Sequence, residues 1–199
     1  MPQTDSPAAA PVRDLTGTLL STGRLVLCAP SDADIDTIYA LCQDPDIQRW
    51  TDVPVPYERE HARAFVQDVV PAGLAAGTDA AFAVYEAVGG RLAGMVGLHG
   101  ITGPDAKHGP RAEIGYWTAP YARRRGYTTE AVRAVCRWGL AELDLQRIEW
   151  IAYDGNEGSR ALARKAGFTV EGTLRNRMVH RGRRTDVWIG SLIPGDPIT

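Results

Sequence analysis

The stretch Ala122-Arg-Arg-Arg-Gly-Tyr-Thr-Thr-Glu-Ala-Val132 joins two segments of different periodicity. Residues 113–117 before it follow an apolar strand pattern, and an amphipathic helix pattern after it runs to about Leu143. The sequence therefore predicts a strand, a short basic turn and a helix. Because the first N–H groups of a helix and its dipole attract anions, this turn is a candidate site for a phosphate group.

The composition of the turn supports phosphate binding. Gly126 lets a ligand approach the backbone without meeting a Cβ atom. Arginine side chains form charge-assisted hydrogen bonds with phosphate oxygens, and the turn contains Arg123, Arg124 and Arg125. Only one glycine lies in the turn and no Gly-Lys-Ser/Thr follows it, which excludes a dinucleotide fingerprint and a Walker loop. The alternative is a solvated arginine turn before a helix.

The remaining periodicities predict a single α/β domain. Strand patterns occur at 23–29, 80–86, 91–99, 111–118, 147–153, 168–180 and 183–193. Further helix patterns cover about 31–44, 58–70 and 159–165; Pro71 and Gly73 should end or kink the second, and 46–57 is predicted to be a loop. The order β-α-α-β-β-β-α-β-α-β-β favours one mixed, mostly antiparallel sheet of about seven strands with helices on both faces.

Length and composition limit the class of protein. The 199 residues are 44% hydrophobic and 23% charged, which suits one globular domain; we assign 20–195 to it and expect 1–19 to be a disordered tail. The net charge of −2 argues against a dedicated nucleic-acid binder. No apolar run predicts a membrane span or a secretory signal. Three widely spaced cysteines suggest core thiols and a cytoplasmic protein: Cys28, Cys42 and Cys136.

The basic turn also resembles a known family motif. Arg123-x-x-Gly126-x-Thr128 is similar to the pyrophosphate loop of the GNAT superfamily of acyl-CoA N-acetyltransferases, although Thr128 departs from the usual Gly or Ala. The run 112–132 looks like the branch that acetylates the N-termini of ribosomal proteins, and the resemblance extends over about Leu20 to Ile193. It implies a sheet that splays between the strand ending at Trp117 and the strand 147–153, with the pantetheine arm of acetyl-CoA in the gap.

The resemblance also implies the residues that bind acetyl-CoA. Asn156 and Ser159 match the Asn-x-x-Ser segment of the family, where the asparagine amide bonds the pantetheine arm. The alternative is that both are turn and helix-capping residues. The full predicted set is Tyr116, Trp117, Thr118, Arg123, Arg124, Arg125, Gly126, Tyr127, Thr128, Asn156 and Ser159.

Acetyl transfer to an amine also needs a base and an acid. An alkyl ammonium has a pKa near ~10, so its proton must be accepted, and Glu113 is the first candidate, with His99 the second. Alternatively, Glu113 faces solvent or an arginine. Ser159 is the candidate acid for the leaving thiolate, with Tyr153 as its rival. A backbone N–H of 115–117 would stabilise the developing oxyanion. No cysteine is placed as a nucleophile and no histidine spacing predicts a metal, so we expect direct transfer in a ternary complex.

Two features of the sequence bear on the acceptor, and each has two interpretations. Trp50 is either a substrate contact or a hydrophobic plug. The final hairpin is basic and is either an exposed turn or a docking patch: Arg175, Arg177, His180, Arg181, Arg183 and Arg184. Candidate acceptors are small amines and protein N-termini, including those of ribosomal proteins, and a homodimer is plausible by analogy. The alternative to an enzyme is a non-catalytic acyl-CoA-binding module of the same fold.

Overall fold

A computed structural model describes residues 13–198. Its strands are β1 (Leu20–Ser21), β2 (Leu25–Cys28), β3 (Ala80–Glu86), β4 (Leu92–His99), β5 (Arg111–Thr118), β6 (Arg147–Tyr153), β7 (Thr169–His180) and β8 (Arg183–Leu192). They form one sheet in the order β1-β2-β3-β4-β5-β6-β8-β7. Neighbouring strands are antiparallel except β5 and β6, which are parallel. The predicted mixed sheet is confirmed, with one strand more than the expected seven.

Helices cover both faces of this sheet. They are α1 (Ile35–Leu41), α2 (Pro45–Trp50), α3 (Arg59–Ala64), α4 (Val70–Ala76), α5 (Tyr127–Glu142) and α6 (Glu157–Ala166). Successive β3 residues point to opposite faces: Phe82 packs in one core cluster with Val132 of α5, and Ala83 packs in another with Ile38 of α1. Within residues 13–198, none of the helices has the length and apolar character needed to cross a membrane.

The extra strand is β1, which pairs with β2 through Leu20 and Ser21 only. Two residues are too few to show alternation, so the sequence pattern does not reveal it. Before it, Leu15 is buried and its N–H donates to the carbonyl of Leu74. The predicted domain boundary at Leu20 therefore lies inside a packed segment, while residues 1–12 of the predicted tail lie outside the described residues.

The segment 46–57 is not wholly a loop, because it contains most of α2. The Asp44 side chain accepts hydrogen bonds from the N–H groups of Asp46 and Ile47, and Pro45 occupies the first turn. These are standard helix-start signals. The helix has only six residues, which is too short to display a clear apolar stripe.

Pro71 does not end the helix in which it lies. A π-helical segment, Phe65–Val69, joins α3 to α4, and the helix continues to Ala76. Pro71 sits in the first turn of α4, where its missing N–H is tolerated. The helix ends at Gly77, whose φ of +65° is the left-handed conformation that glycine adopts readily.

Candidate active site

The sheet opens between β5 and β6. The two strands pair from Arg111 with Arg147 to Ile114 with Trp150, and no pairs follow. Beyond this point each strand leads to the N-terminus of a helix, α5 after β5 and α6 after β6. The gap is a cleft of about 1270 Å³ that includes residues from both strands and both helix N-termini. The splayed sheet implied by the family resemblance is therefore present.

Most of the predicted site residues line this cleft. They are Trp50, Glu113, Tyr116, Trp117, Thr118, Arg123, Arg124, Gly126, Thr128, Asn156 and Ser159. Tyr153, the rival acid, also lines it. Three predicted residues do not: Arg125, Tyr127 and His99. The turn, the Asn-x-x-Ser segment and the β5 strand are thus brought to one place although they span 47 positions of sequence, from 113 to 159.

The basic turn presents backbone donors at the N-terminus of α5. Gly126 is the N-cap residue, with φ +80°, and no side chain in the described part of the chain caps the helix. The first intrahelical bond runs from the Glu130 N–H to the Gly126 carbonyl, so the N–H groups before it lack helical partners. Arg124 is also left-handed, with φ +61°. This geometry suits an anion held by main-chain donors and the helix dipole.

The three arginines of the turn have different partners. Arg123 forms ion pairs with Asp44 at 2.5 Å and Asp46 at 3.1 Å, and these connect the turn to α2. Burial acts to raise the pKa of Asp44, but hydrogen bonds from Arg123 and the backbone lower it below its usual range. Arg125 pairs with Glu86 at 2.8 Å, away from the cleft. Arg124 is exposed, and in residues 13–198 it forms no ion pair.

Thr128, which departs from the family pattern, is held by a neighbour. Its Oγ1 lies 2.5 Å from Oγ1 of Thr118 at the end of β5. Each hydroxyl has one proton, so one threonine donates to the other and the second can still donate elsewhere. The Thr128 side chain therefore connects strand and helix across the turn without losing all of its donor capacity.

Ser159 is fixed by two aromatic side chains, of which Trp150 is buried and Tyr116 is partly buried. Trp150 Nε1 donates to its Oγ at 2.9 Å, and the Tyr116 hydroxyl lies 2.8 Å from the same atom. Its N–H donates to the Asn156 side-chain oxygen at 3.1 Å, which makes Asn156 the N-cap of α6. The capping alternative is therefore observed for Asn156, and it leaves the amide NH₂ as a donor toward the cleft. Burial raises the pKa of Tyr116 to about 12, so this hydroxyl stays neutral at physiological pH.

Glu113 lies where the two strands begin to separate. Its side chain is exposed within the cleft, but surrounding atoms remove part of its hydration shell. This desolvation raises the pKa of Glu113 above its ordinary value, as do the carboxylates of Glu149 and Asp52, while Arg177 acts in the opposite direction. The raised pKa of Glu113 is closer to the pKa that a general base needs in order to work near neutral pH.

The hydroxyl proton of Tyr153, the second candidate acid, is used in a hydrogen bond within the protein. Its hydroxyl donates to the Asp52 carboxylate, and burial, followed by this bond, raises the pKa of Tyr153. The His180 ring packs against the Tyr153 ring at 4.1 Å between centroids, and its Nδ1 lies 3.5 Å from Asp52. The hydroxyl of Tyr153 therefore donates to Asp52, whereas Ser159 has no carboxylate partner among the described residues.

The basic hairpin is partly used inside the molecule. Arg181 Nη2 lies 2.7 Å from the Gln48 carbonyl and 2.9 Å from that of Val53. His180 Nε2 lies 3.0 Å from the Arg49 carbonyl. The tip of the β7–β8 hairpin thus covers the C-terminal end of α2, where a cation is favoured by the helix dipole. The hairpin is neither a free turn nor entirely available for docking.

Trp50 and His99 occupy different surroundings. Trp50 lines the cleft at the end of α2, and its ring would lie 3.8 Å from a Cβ placed on Gly155. His99 is next to Glu113 across the β4–β5 ladder, but its Nδ1 lies 3.3 Å from Asp79. The position of Trp50 is compatible with both of its predicted roles. His99 does not line the cleft, but its ring faces the cleft residue Gly115, with Nε2 3.0 Å from where a Cβ on that glycine would lie.

Several basic residues of the cleft were not predicted from sequence. Arg24 donates to the Arg125 carbonyl at 3.1 Å and to Glu130 at 2.7 Å, which braces the turn. These contacts join residues that are 101 and 106 positions apart, so no local sequence pattern indicates them. At the α5–α6 side the cleft is also lined by Arg133, Arg137 and Lys165. The i, i+4 spacing of Arg133 and Arg137 on a helix would have placed them on one face.

Known proteins are similar to this chain in sequence and in fold. The family described as "Acetyltransferase (GNAT) domain" matches residues 24–169. The Bacillus subtilis (strain 168) protein named "Uncharacterized N-acetyltransferase YoaA" is 29% identical over 186 residues, which cover 88% of this chain and 96% of YoaA.

Two solved structures have the same fold at lower identity. RimL, a ribosomal L7/L12 alpha-N-protein acetyltransferase in complex with coenzyme A, has a TM-score of 0.78 and 22% identity over 88% of this chain and 98% of its own. The microcin C7 self immunity acetyltransferase MccE, in complex with acetyl-CoA and AMP, has a TM-score of 0.79 and 20% identity over 90% of this chain and 98% of its own.

The family match covers most of the chain, from β2 to the start of β7, and includes the whole splayed region. The resemblance read from the basic turn and the Asn-x-x-Ser segment is thereby confirmed. The chain belongs to the GNAT family of acetyltransferases and is an acyltransferase.

Proposed function

We propose that the protein transfers an acetyl group from acetyl-CoA directly to a primary amine in a ternary complex. The observation that carries this proposal is the cleft between β5 and β6, which has the donor-rich turn at its open end and Glu113 where the strands meet. Five residue steps separate Glu113 from Thr118, which is about 17 Å of extended strand. An extended arm can therefore lie along the gap with its phosphates at the turn and its thioester near Glu113.

The donor fits the groups that line the cleft. Acetyl-CoA has a pyrophosphate, which suits the N–H groups at the start of α5 and Arg124, which forms no ion pair within residues 13–198. Its additional phosphate suits the basic side chains on α5 and α6, which include Arg133 and Lys165. The amide groups of the arm suit the free NH₂ of Asn156 and the backbone groups of β5 beyond Ile114 that have no β6 partner.

The chemical roles follow from the surroundings of each group. Glu113 accepts the proton of the amine, directly or through water, because it is the cleft carboxylate with a raised pKa and it forms no ion pair among the described residues. Ser159 donates toward the leaving thiolate, because Trp150 and Tyr116 hold its oxygen in place. Acetyl-CoA supplies the activated acetyl group, and the chain supplies orientation and proton transfer.

Direct transfer is favoured over an acetyl-cysteine route. None of the three cysteines lines the cleft. Burial raises the pKa of Cys42 to about 11 and also raises the pKa of Cys28 and Cys136, so all three remain thiols near neutral pH. The acceptor amine is proposed to be a protein N-terminus or a small amine, and the first of these is in line with the name of RimL.

The donor site is tested by thermal melting with and without acetyl-CoA. A ligand at about 100 times its Kd adds ~2.7 kcal/mol to the free energy of unfolding, which is roughly a 5–10 °C rise in Tm for a domain of this size. Arg124→Gln should reduce this rise, whereas Arg125→Gln should retain it, since Arg125 pairs with Glu86 outside the cleft. No rise at saturating acetyl-CoA, or equal losses in both variants, would contradict the assigned donor site.

A further inference from the structure

A second cavity of about 350 Å³ adjoins the cleft. Its lining consists of Glu113, Ile151, Arg177, Met178 and Val179. Three of these, Glu113, Ile151 and Met178, also line the cleft, so the two spaces share a wall. A molecule in the second cavity would reach Glu113 without displacing an arm that lies along β5. The volume is at the small end of ligand pockets, which suits a chain terminus or a single amino acid.

The charges around this cavity are of both signs. Asp52 and Arg177 act on Glu113 in opposite directions, so both lie within electrostatic range of its carboxylate. Two carboxylates, those of Asp52 and Glu113, favour an ammonium group, whereas a guanidinium repels one and binds a carboxylate. The lining itself contains one group of each sign: the Glu113 carboxylate, which suits an amine, and the Arg177 guanidinium, which suits an acid.

The local backbone explains why Arg177 reaches the cavity. The register between β7 and β8 shifts between Leu174 and Met178, and Asn176 inside the shifted stretch has φ +51°. Such a bulge re-aims a side chain away from the regular alternation. Arg177 is exposed, and in residues 13–198 no carboxylate lies within ion-pair distance of it. Its neighbour Arg175 lies on the same strand but lines neither cavity.

We propose that the second cavity is the acceptor subsite and that Arg177 binds a carboxylate next to the acceptor amine. The preferred acceptors are then α-amines whose own residue has a free carboxylate, or whose second residue is Asp or Glu. Ile151 and Met178 contact the aliphatic part between the two charged groups. This inference rests on the proposed function and names the substrate class of the same site.

The test compares acceptors that differ by one charge. Acetylation rates are measured for Ala-Asp-Ala-amide against Ala-Asn-Ala-amide, and for free alanine against alanine amide. The first pair reports a side-chain carboxylate on a peptide, and the second reports the carboxylate of a free amino acid. A charge-assisted hydrogen bond at a partly exposed site predicts roughly a tenfold higher kcat/KM for the acidic member of at least one pair.

Variants assign this preference to Arg177. Arg177→Gln should abolish the acidic preference, Arg177→Glu should invert it, and Arg175→Gln should leave it unchanged. Because Arg177 also lowers the pKa of Glu113, the readout is the ratio of the two acceptors within one variant, which cancels any change in the base. Equal kcat/KM for both members of both pairs, or a ratio that persists in Arg177→Gln, would overturn the inference.

Calorimetric titration of the two peptides into enzyme saturated with CoA separates this inference from the proposed function. Tighter binding of the acidic peptide that is lost in Arg177→Gln supports the subsite even if no acetylation occurs, in which case the proposed function fails and the subsite stands. Free alanine and alanine amide are titrated in the same way, and equal affinities within both pairs would overturn the subsite whatever the acetylation assay shows.

Discussion

Glu113→Gln should lower kcat for amine acetylation by about 10²–10³-fold, within the range that a general base contributes. Glutamine keeps the size and most polar contacts of the side chain but cannot accept a proton from an ammonium. Acetyl-CoA affinity should remain unchanged, because the turn at 123–126 lies at the opposite end of the cleft. The measurement is steady-state acetylation together with the acetyl-CoA-induced shift in Tm for both proteins.

The pH dependence gives a second readout of the same residue. The active form of the base is deprotonated, so activity should rise with pH through the pKa of Glu113, which lies above the ordinary glutamate value. This acidic limb should disappear in Glu113→Gln. Glu149→Gln is the matched control: Glu149 faces Glu113 across β5 and β6 and raises its pKa, so this variant should move the limb to lower pH while keeping the plateau rate.

Stability provides a check that the loss of rate is not misfolding. A carboxylate with a raised pKa in the folded state is destabilising when ionised, so the stability that it adds at low pH is lost as pH rises through the folded pKa. At pH 7 Glu113→Gln should therefore melt at the same temperature as the parent or higher, with any difference vanishing in acid. A variant with parental kcat would show that Glu113 is not the base; absent turnover in the parent would favour the binding module.

Local patterns were sufficient for most of the fold. Alternation located β3 and β4, and Gly89 and Gly90, both with positive φ, lie in the turn between them. The strand–turn–helix signal around Gly126 also located the donor end of the cleft, because a helix N-terminus binds anions wherever it occurs. These features depend on neighbours in sequence, which is the information that periodicity contains.

Side-chain contacts between residues far apart in the sequence could not be predicted from local patterns. Arg181 reaches the Gln48 carbonyl across 133 positions, and Arg24 reaches the Arg125 carbonyl across 101. Arginine side chains are long and flexible, so hydrophobic patterns do not determine which distant carbonyl one of them meets. The pairing of Tyr153 with Asp52 is of the same kind, and it changes the choice between the two candidate acids. The fold was therefore easier to predict than the residues that accept and donate protons in the reaction.

Trp150→Ala should lower the free energy of unfolding more than any of the substitutions described above. The Trp150 ring is 1% exposed and lies against Gly190, the residue facing it on β8, where an added Cβ would meet the ring at 3.3 Å. Removing a buried tryptophan costs about 3–5 kcal/mol, because the apolar burial is lost and the cavity relaxes only partly. At ~2–4 °C per kcal/mol, Tm should fall by roughly 6–20 °C, as measured by differential scanning calorimetry.

Trp150→Phe separates packing from positioning. Phenylalanine keeps much of the ring volume but has no N–H to donate to Ser159, so the expected cost is only about 1–2 kcal/mol. Because Ser159 then loses one of the two groups that hold its oxygen, kcat should fall severalfold while acetyl-CoA affinity stays at the parental level. A Trp150→Ala protein that melts within 2 °C of the parent would contradict the packing argument. Equal kcat in Trp150→Phe and the parent would show that the indole N–H does not position Ser159 for catalysis.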